Sequence, residues 1–233
     1  MKARILGIGW VDGDGPGKGR GPRDCNLRSG ELPRIERSDI FSNPDRRFGR
    51  LDDFSRLGLA AIALALQDAG LDTWEQKRPW AIIAASRYGC LATDHSFFDT
   101  VIPEGGALAS PNLFAYTLSN CFTGEAAIRF GLTGPSYVLG EQGEQGFAAL
   151  QLALESLADG EAPLAVAGIS DLAVDIAEGD GHAHPGAVFM VLATDSTETC
   201  NAPLLEGDAT KTRIDSMPAG SWNELVAAAR NKL

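Results

Sequence analysis

The chain has 233 residues, of which 44% are hydrophobic and 22% charged, a composition typical of a globular protein and unlike that of disordered or collagen-like chains. Acidic residues outnumber basic ones by 31 to 20, and the resulting net charge of −11 argues against nucleic-acid binding. The four cysteines are widely spaced, and no apolar run is long enough for a membrane span or a signal peptide. These features predict a reduced, cytoplasmic protein without a membrane span.

Strand-like and helix-like patterns alternate along the chain. Residues 3–10 form an apolar run that predicts a buried strand, whereas 12–47 is rich in Gly, Pro and Arg, has no regular period and predicts a flexible loop. The later predicted elements are, in chain order, a helix over 51–69, a strand over 80–86, a helical segment over 90–100, a helical segment over 111–131 with a break near 117–120, a strand over 135–140, a helix over 146–158, strands over 163–168 and 186–193, and a helix over 222–232. We therefore expect one α/β domain over 1–233, with a single mixed, mostly parallel sheet of about five strands and helices on both faces.

No complete cofactor, metal or nucleophile motif follows from the residues alone. The glycine-rich stretch matches neither the P-loop nor the dinucleotide-binding fingerprint. His182 and His184 could hold a metal with Asp180, but no third strong ligand is evident and a solvated turn is the better interpretation. Asp171 and Asp175 stand one helical turn apart, which is more typical of a solvated face than of paired catalytic carboxylates. We expect no metal and no cofactor.

One stretch carries more specific information. Residues 130–171 read FGLTGPSYVLGEQGEQGFAALQLALESLADGEAPLAVAGISD, and their order of helix end, Gly-Pro-Ser, strand, helix, Gly-Glu turn and Ala-Gly strand resembles the nucleophile region of the β-ketoacyl synthases. Segments 46–71, 82–91, 110–131 and 186–193 resemble that family's first long helix, a strand-turn, the dimer-interface helix and the closing strand of its first half. The resemblance implies a thiolase-like α/β half-fold.

The departures from the family concern its chemistry. The family's nucleophilic cysteine lies nine residues after the first Gly of Gly-Pro-Ser, where this chain has Gly143, predicted to lie at the turn that opens the 146–158 helix. Glycine cannot be acylated, and Cys121 on the preceding helix is expected to be a buried apolar residue. The family's two catalytic histidines also have no counterpart in this sequence. Chain-length factors carry Gln at the nucleophile position, and the neighbours of Gly143 are Gln142, Glu144 and Gln145.

The resemblance therefore implies a catalytically incompetent partner or scaffold in fatty-acid or polyketide-type acyl-chain assembly, similar to a chain-length factor. It would form a homodimer, or a heterodimer with an active ketosynthase, through the strand after Gly-Pro-Ser and the 111–131 helix. A half-fold would also leave an apolar face that needs cover. For each interface residue, plain core packing is an equally good interpretation; the candidates are Leu113, Phe114, Phe122, Tyr137 and Val138.

Two alternatives stay open. One is an acyltransferase or decarboxylase that acts on acyl-carrier thioesters through Gln142, Glu144 or a histidine. The other is a module that binds acyl carrier protein. Because carrier proteins are acidic, their docking patch should be basic, although a salt-bridged, solvated helix face explains each arginine more simply. The docking candidates are Arg46, Arg47, Arg50, Arg56 and Arg87.

Overall fold

The structure is a computed structural model. It describes the chain except for residues 29, 44, 104, 142–145, 174–184, 196–200 and 209–210. The described strands are β1 (Lys2–Asp12), β2 (Gly15–Lys18), β3 (Ala81–Ser86), β4 (Ser136–Gly140), β5 (Leu164–Asp171), β6 (Gly186–Ala193), β7 (Leu204–Asp208), β8 (Lys211–Ile214) and β9 (Met217–Pro218). The described helices are α1 (Arg37–Ile40), α2 (Asp53–Asp68), α3 (Leu91–Val101), α4 (Pro111–Phe114), α5 (Cys121–Phe130), α6 (Ala148–Ala158) and α7 (Trp222–Arg230), with a 3-10 turn at Phe48–Arg50.

All nine described strands form one mixed sheet in the order β4-β3-β5-β6-β1-β7-β8-β9, with β2 paired to the end of β1. The five predicted strands are confirmed, but the expected count of about five is too low by β2, β7, β8 and β9. The expectation of a mostly parallel sheet is also wrong, because among the described strands only β3–β4 and β3–β5 pair in parallel. The described strand β6 pairs antiparallel with β5, so the chain has reversed its direction between these two strands.

Helices cover both faces of the sheet, as predicted. On β3, Ile82 and Ala84 belong to the buried cluster that contains residues of α2 and α5, whereas Ile83 and Ala85 belong to the cluster that contains residues of α6 and α7. The α2 backbone approaches β1 closely at Gly9, where an added Cβ would lie 2.2 Å from the amide nitrogen of Ala65. Glycine at this position lets α2 lie directly against the middle of the sheet.

Residues 12–47 contain more regular secondary structure than their composition predicts. The expectation that they lack regular structure is wrong, because they contain β2 and α1. Asp12 is fully buried, accepts a 2.6 Å bond from the Arg23 guanidinium and accepts the Asn26 amide at 2.9 Å. These contacts hold the chain against the end of β1. The mobility of the segment stays a prediction.

The helix α7 holds the same segment from the other end of the sequence. Arg230 donates to the carbonyl oxygens of Gly19 and Gly21 at 2.9 and 2.8 Å. The Asn223 side chain accepts the amide of Leu27 at 2.8 Å and donates to its carbonyl at 3.0 Å. Partners about 200 positions apart leave no local sequence pattern, and this is why composition alone mispredicts the segment.

The α6 face of the sheet is covered within the chain. Phe147 and Trp222 meet edge to face with ring centroids 5.4 Å apart, and the Trp222 indole N–H donates to the Gly146 carbonyl at 3.1 Å. None of the large apolar side chains that the described residues expose lies on α6 or α7. The expected uncovered apolar face of a half-fold is therefore not found on this side. Within the described residues, no helix is long and apolar enough to cross a membrane.

Candidate functional site at the carboxyl ends of the parallel strands

The parallel strands β4, β3 and β5 end side by side, at Gly140, Ser86 and Asp171. In open α/β sheets, ligands bind outside the carboxyl ends of such strands. The Glu141 amide donates to the Ser86 carbonyl at 2.9 Å, which ties the end of β4 to the end of β3. The candidate site is this edge, from which the chain continues toward α6.

Asp171 is the hydrogen-bonding centre of this edge. Its Oδ1 accepts the Ser86 hydroxyl at 2.7 Å and the amides of Arg87 and Tyr88 at 2.9 and 3.1 Å. Burial raises the pKa of the Asp171 carboxyl above its usual range, although these hydrogen bonds oppose that shift. The interpretation of Asp171 as part of a solvated helix face is wrong, because the residue ends a strand; Asp175 lies outside the described residues. In the sequence, this placement is indicated by the position of Asp171 directly after the apolar run AVAGIS of residues 165–170.

In the turn between β3 and α3, the backbone amides of four consecutive residues, 87–90, donate hydrogen bonds to side-chain oxygens. Besides the two amides bound by Asp171, the Gly89 amide donates to Ser86 Oγ at 2.7 Å and the Cys90 amide donates to Ser119 Oγ at 3.4 Å. Gly89 has a φ of +56°, and an added Cβ there would lie 2.3 Å from Ser119 Oγ. The turn is therefore preorganised, and glycine is required at its centre.

The thiols near the site are poor nucleophiles. Cys90 is buried and its Sγ lies 3.5 Å from Asp94 Oδ2; burial, followed by this carboxylate, raises its pKa. Cys121 is half-buried rather than fully buried as expected, and its Sγ donates to the Ala115 carbonyl at 3.3 Å. Burial raises the pKa of Cys121 as well. A thiol with a raised pKa is mostly protonated at neutral pH, so neither residue has the character of an activated nucleophile.

The predicted nucleophile position lies outside the described residues, as do Gln142, Glu144, Gln145 and the histidine pair near 183. Its two flanks are described. Glu141 Oε2 accepts the Ala148 amide at 3.0 Å, which satisfies a free donor at the start of α6. Gly146 has a φ of +69°, a value that favours glycine. The placement of Gly143 at the turn that opens this helix stays a prediction.

The five interface candidates separate into surface and core. Phe122 is fully buried between Phe54 and Phe189, at ring-centroid distances of 5.4 and 6.1 Å, so the prediction that it faces a partner is wrong. Phe114 and Tyr137 are 63% and 45% exposed, whereas Leu113 and Val138 are half-buried. The five residues share one stretch of sequence, but the α5 periodicity turns Phe122 toward the sheet.

The arginine candidates also differ. Arg47 makes a two-pronged ion pair with Glu125 at 2.7 and 2.9 Å. Arg56 is bound to Asp53 and to a backbone carbonyl, and Arg87 lies half-buried at the candidate site. Arg46 and Arg50 are exposed, and no carboxylate of the described residues forms an ion pair with them. These two have unneutralised side chains at one end of α2.

The chain matches the family model of the β-ketoacyl synthase N-terminal domain over residues 31–200 and belongs to this family. It is 28% identical over 137 residues to a putative polyketide β-ketoacyl synthase 1 of Streptomyces halstedii, which covers 54% of this chain and 32% of that protein.

Solved structures show the same thiolase-like fold. A type II polyketide synthase acyl-carrier protein in complex with its ketosynthase is similar with a TM-score of 0.66 and 16% identity, over 88% of this chain and 67% of the other. The ishigamide ketosynthase/chain length factor gives a TM-score of 0.65 at 16% identity, over 87% and 64%. A ketosynthase in complex with its chain length factor from Xenorhabdus doucetiae gives 0.55 at 16% identity, over 84% and 81%. The chain thus spans about a third of its curated relative and about two thirds or more of these structures.

Proposed function

We propose that this protein is a non-condensing partner subunit of a ketosynthase in polyketide-type acyl-chain assembly, similar to a chain-length factor. The observation that carries the proposal is the edge of the sheet at β4. Within the described residues β4 pairs only with β3, and its other edge presents unpaired backbone groups. Such an edge is a template for pairing with another chain.

Exposed apolar side chains continue this edge on the neighbouring helices. Ser136 of β4 bonds to Thr123 of α5 at 3.1 Å, so the edge strand and α5 form one surface. Upstream of α5, the ring of Phe114 packs against that of Phe97 on α3 in a tilted arrangement, with ring centroids 5.5 Å apart. The exposed large apolar residues on α3, α5, β4 and the segment between α3 and α5 are Phe98, Ile102, Leu108, Phe114, Leu118, Ile128 and Tyr137. A collection of this kind on one group of elements is typical of a protein–protein interface.

Glycine at the nucleophile position that the family resemblance predicts supports a non-condensing role. Glycine at 143 has no group that could form a thioester, and the thiols of Cys90 and Cys121 have raised pKa values. An acyl-carrier-binding role is compatible with this subunit and is favoured by Arg46 and Arg50, whose charges are unneutralised within the described residues. The alternative of an acyltransferase or decarboxylase requires Gln142, Glu144 or a histidine to act without a cysteine.

Photo-cross-linking from the two ends of the sheet tests the partner role. A benzophenone amino acid at Tyr137 on β4 should cross-link in the native host to a chain that peptide sequencing identifies as a ketosynthase. The matched control is the same probe at Met217 on β9, which is similarly exposed and lies at the opposite end of the sheet. Equal yields of the ketosynthase adduct from both positions, or an adduct from neither, would contradict the proposal.

Intact-protein mass spectrometry tests the non-condensing role. After incubation with malonyl- and acyl-carrier thioesters, the mass of the wild-type chain should be unchanged. The Gly143→Cys variant should still fail to condense these substrates, because a cysteine alone lacks the groups that activate it and bind the developing oxyanion. An acyl adduct on any wild-type residue from 140 to 146, or turnover of the thioesters, would establish the enzymatic alternative instead.

A further inference from the structure

A cavity of about 710 Å³ lies on the α2 face of the sheet, and none of its lining residues belongs to the β4 edge or to the exposed apolar residues of the proposed interface. Its walls come from the 31–35 segment, the first turns of α2 and α3, and the residues directly after β5 and before β6. Its apolar lining includes Leu32, Ile35, Leu57, Ala92 and Leu172, and Arg56 is one of its charged lining residues. Its volume falls within the range of about 300–1,000 Å³ that is typical of small-molecule sites.

The walls are apolar and the charges differ strongly in burial. Ile35 and Leu57 belong to the core on the α2 face, and Leu32 and Leu172 pack against that core. Of the four charged lining residues, Glu31, Arg34 and Asp53 are exposed, whereas the Arg56 side chain is only 18% exposed. The most buried charge among these lining residues is therefore a cation.

The Arg56 guanidinium is held in place and keeps donors for a ligand. One terminal nitrogen donates to Asp53 Oδ1 at 2.8 Å and the other to the Leu51 carbonyl at 2.7 Å. These bonds use two of the five N–H groups of the guanidinium, and the other three have no acceptor among the described residues. Because Asp53 is 80% exposed, water screens its charge more than it screens Arg56.

We propose that this cavity binds an amphipathic monoanion, a carboxylic acid with a long aliphatic or aryl body, with its carboxylate at Arg56. The apolar body would be removed from water by the leucine and isoleucine walls. The carboxylate would accept charge-assisted hydrogen bonds from the unused donors of the guanidinium. The site does not depend on a partner subunit, so its failure and that of the partner role are separate outcomes.

Two probes that share an apolar body test the site on the purified full chain. 8-Anilinonaphthalene-1-sulfonate is an anion, whereas N-phenyl-1-naphthylamine is uncharged. The anionic probe should bind with a stoichiometry of one and be displaced by dodecanoate. Arg56→Gln should weaken binding of the anionic probe by about tenfold and that of the neutral probe by less than twofold, since one charged hydrogen-bonding group is lost.

Variants that fill the cavity locate the site. Ala92→Trp should weaken both probes, whereas Ala228→Trp, at a half-buried alanine on α7, should weaken neither. If Ala92→Trp lowers the melting temperature, the exposed lining residue Ala173 provides a second filling variant, Ala173→Trp, that leaves the core intact. Binding that survives filling but is lost in Phe114→Ser would place the probe on the exposed apolar surface and overturn the proposal, as would the absence of saturable binding.

Discussion

Phe122 provides a direct test of which aromatic residues build the core and which are available to a partner. It is fully buried, its ring packs edge to face against Phe54 and Phe189, and the Gly58 backbone lies beneath it, where a Cβ would be 2.5 Å from the ring. Truncating a buried phenylalanine to alanine costs about 3–5 kcal/mol, from the lost transfer free energy and the remaining cavity. For a chain of this length each kcal/mol lowers the melting temperature by about 2–4 °C, so Phe122→Ala should lower it by about 6–20 °C.

The measurement is chemical denaturation of the isolated chain, followed by circular dichroism. The midpoint should fall while the denaturant slope stays unchanged, because the variant alters stability and not the surface exposed on unfolding. Phe114→Ala is the matched control, since this ring is 63% exposed and its loss should change the free energy of unfolding by less than about 0.5 kcal/mol. A loss below about 1 kcal/mol for Phe122→Ala would refute the core assignment and return this residue to the interface.

Further predictions concern the charged residues. Arg46→Glu combined with Arg50→Glu should weaken binding of acyl carrier protein by at least tenfold in a low-salt titration. The control is Arg213→Glu, at an exposed arginine on β8, which should have little effect. Equal effects of the two changes would indicate non-specific electrostatics. Asp171→Asn should gain stability relative to the wild type as the pH rises from 4 to 7, measured by denaturation at each pH; a difference that is constant with pH would contradict the raised pKa.

The sequence predicts best those elements whose contacts are local and periodic. The helix α2 has a central run of small and apolar residues over 57–66, and its capping Asp52 accepts the Ser55 amide, so its start is visible in the sequence. The break within 111–131 is also confirmed, because α4 ends at Phe114 and α5 begins at Cys121. Both features depend on residues within a few positions of one another.

The remaining errors come from short strands and from long-range pairing. The strands β7, β8 and β9 have 5, 4 and 2 residues, too few for an alternating pattern to stand out, and β7 is fixed by pairing with β1 about 200 positions away. The Asp171 carboxylate accepts hydrogen bonds from amides 83 and 84 positions away. The residues next to Asp171 in the sequence do not indicate these partners. The nucleophile position followed from family resemblance and not from any pattern of charge or spacing.

Asp171 also connects the candidate site to the β4 edge of the sheet, where we propose that a partner binds. The sign of its effect on the pH dependence of stability follows from its burial. Because its folded-state pKa is raised, the native state favours the protonated carboxyl; the resulting stability is complete below the unfolded pKa of about 4 and is lost as the pH rises through the folded pKa. Asn at this position keeps an oxygen acceptor for Ser86 and the two amides but has no charge to bury, so the variant should escape that loss.

The Ser86 carbonyl in turn accepts the Glu141 amide at the end of β4, so this network stiffens the carboxyl end of the strand at which we propose that a partner binds. Amide hydrogen exchange at Glu141 should therefore change little in Asp171→Asn and increase in Asp171→Ala, which removes the acceptor. Equal exchange in both variants would show that the hydrogen bonds of Asp171 do not stiffen the end of β4.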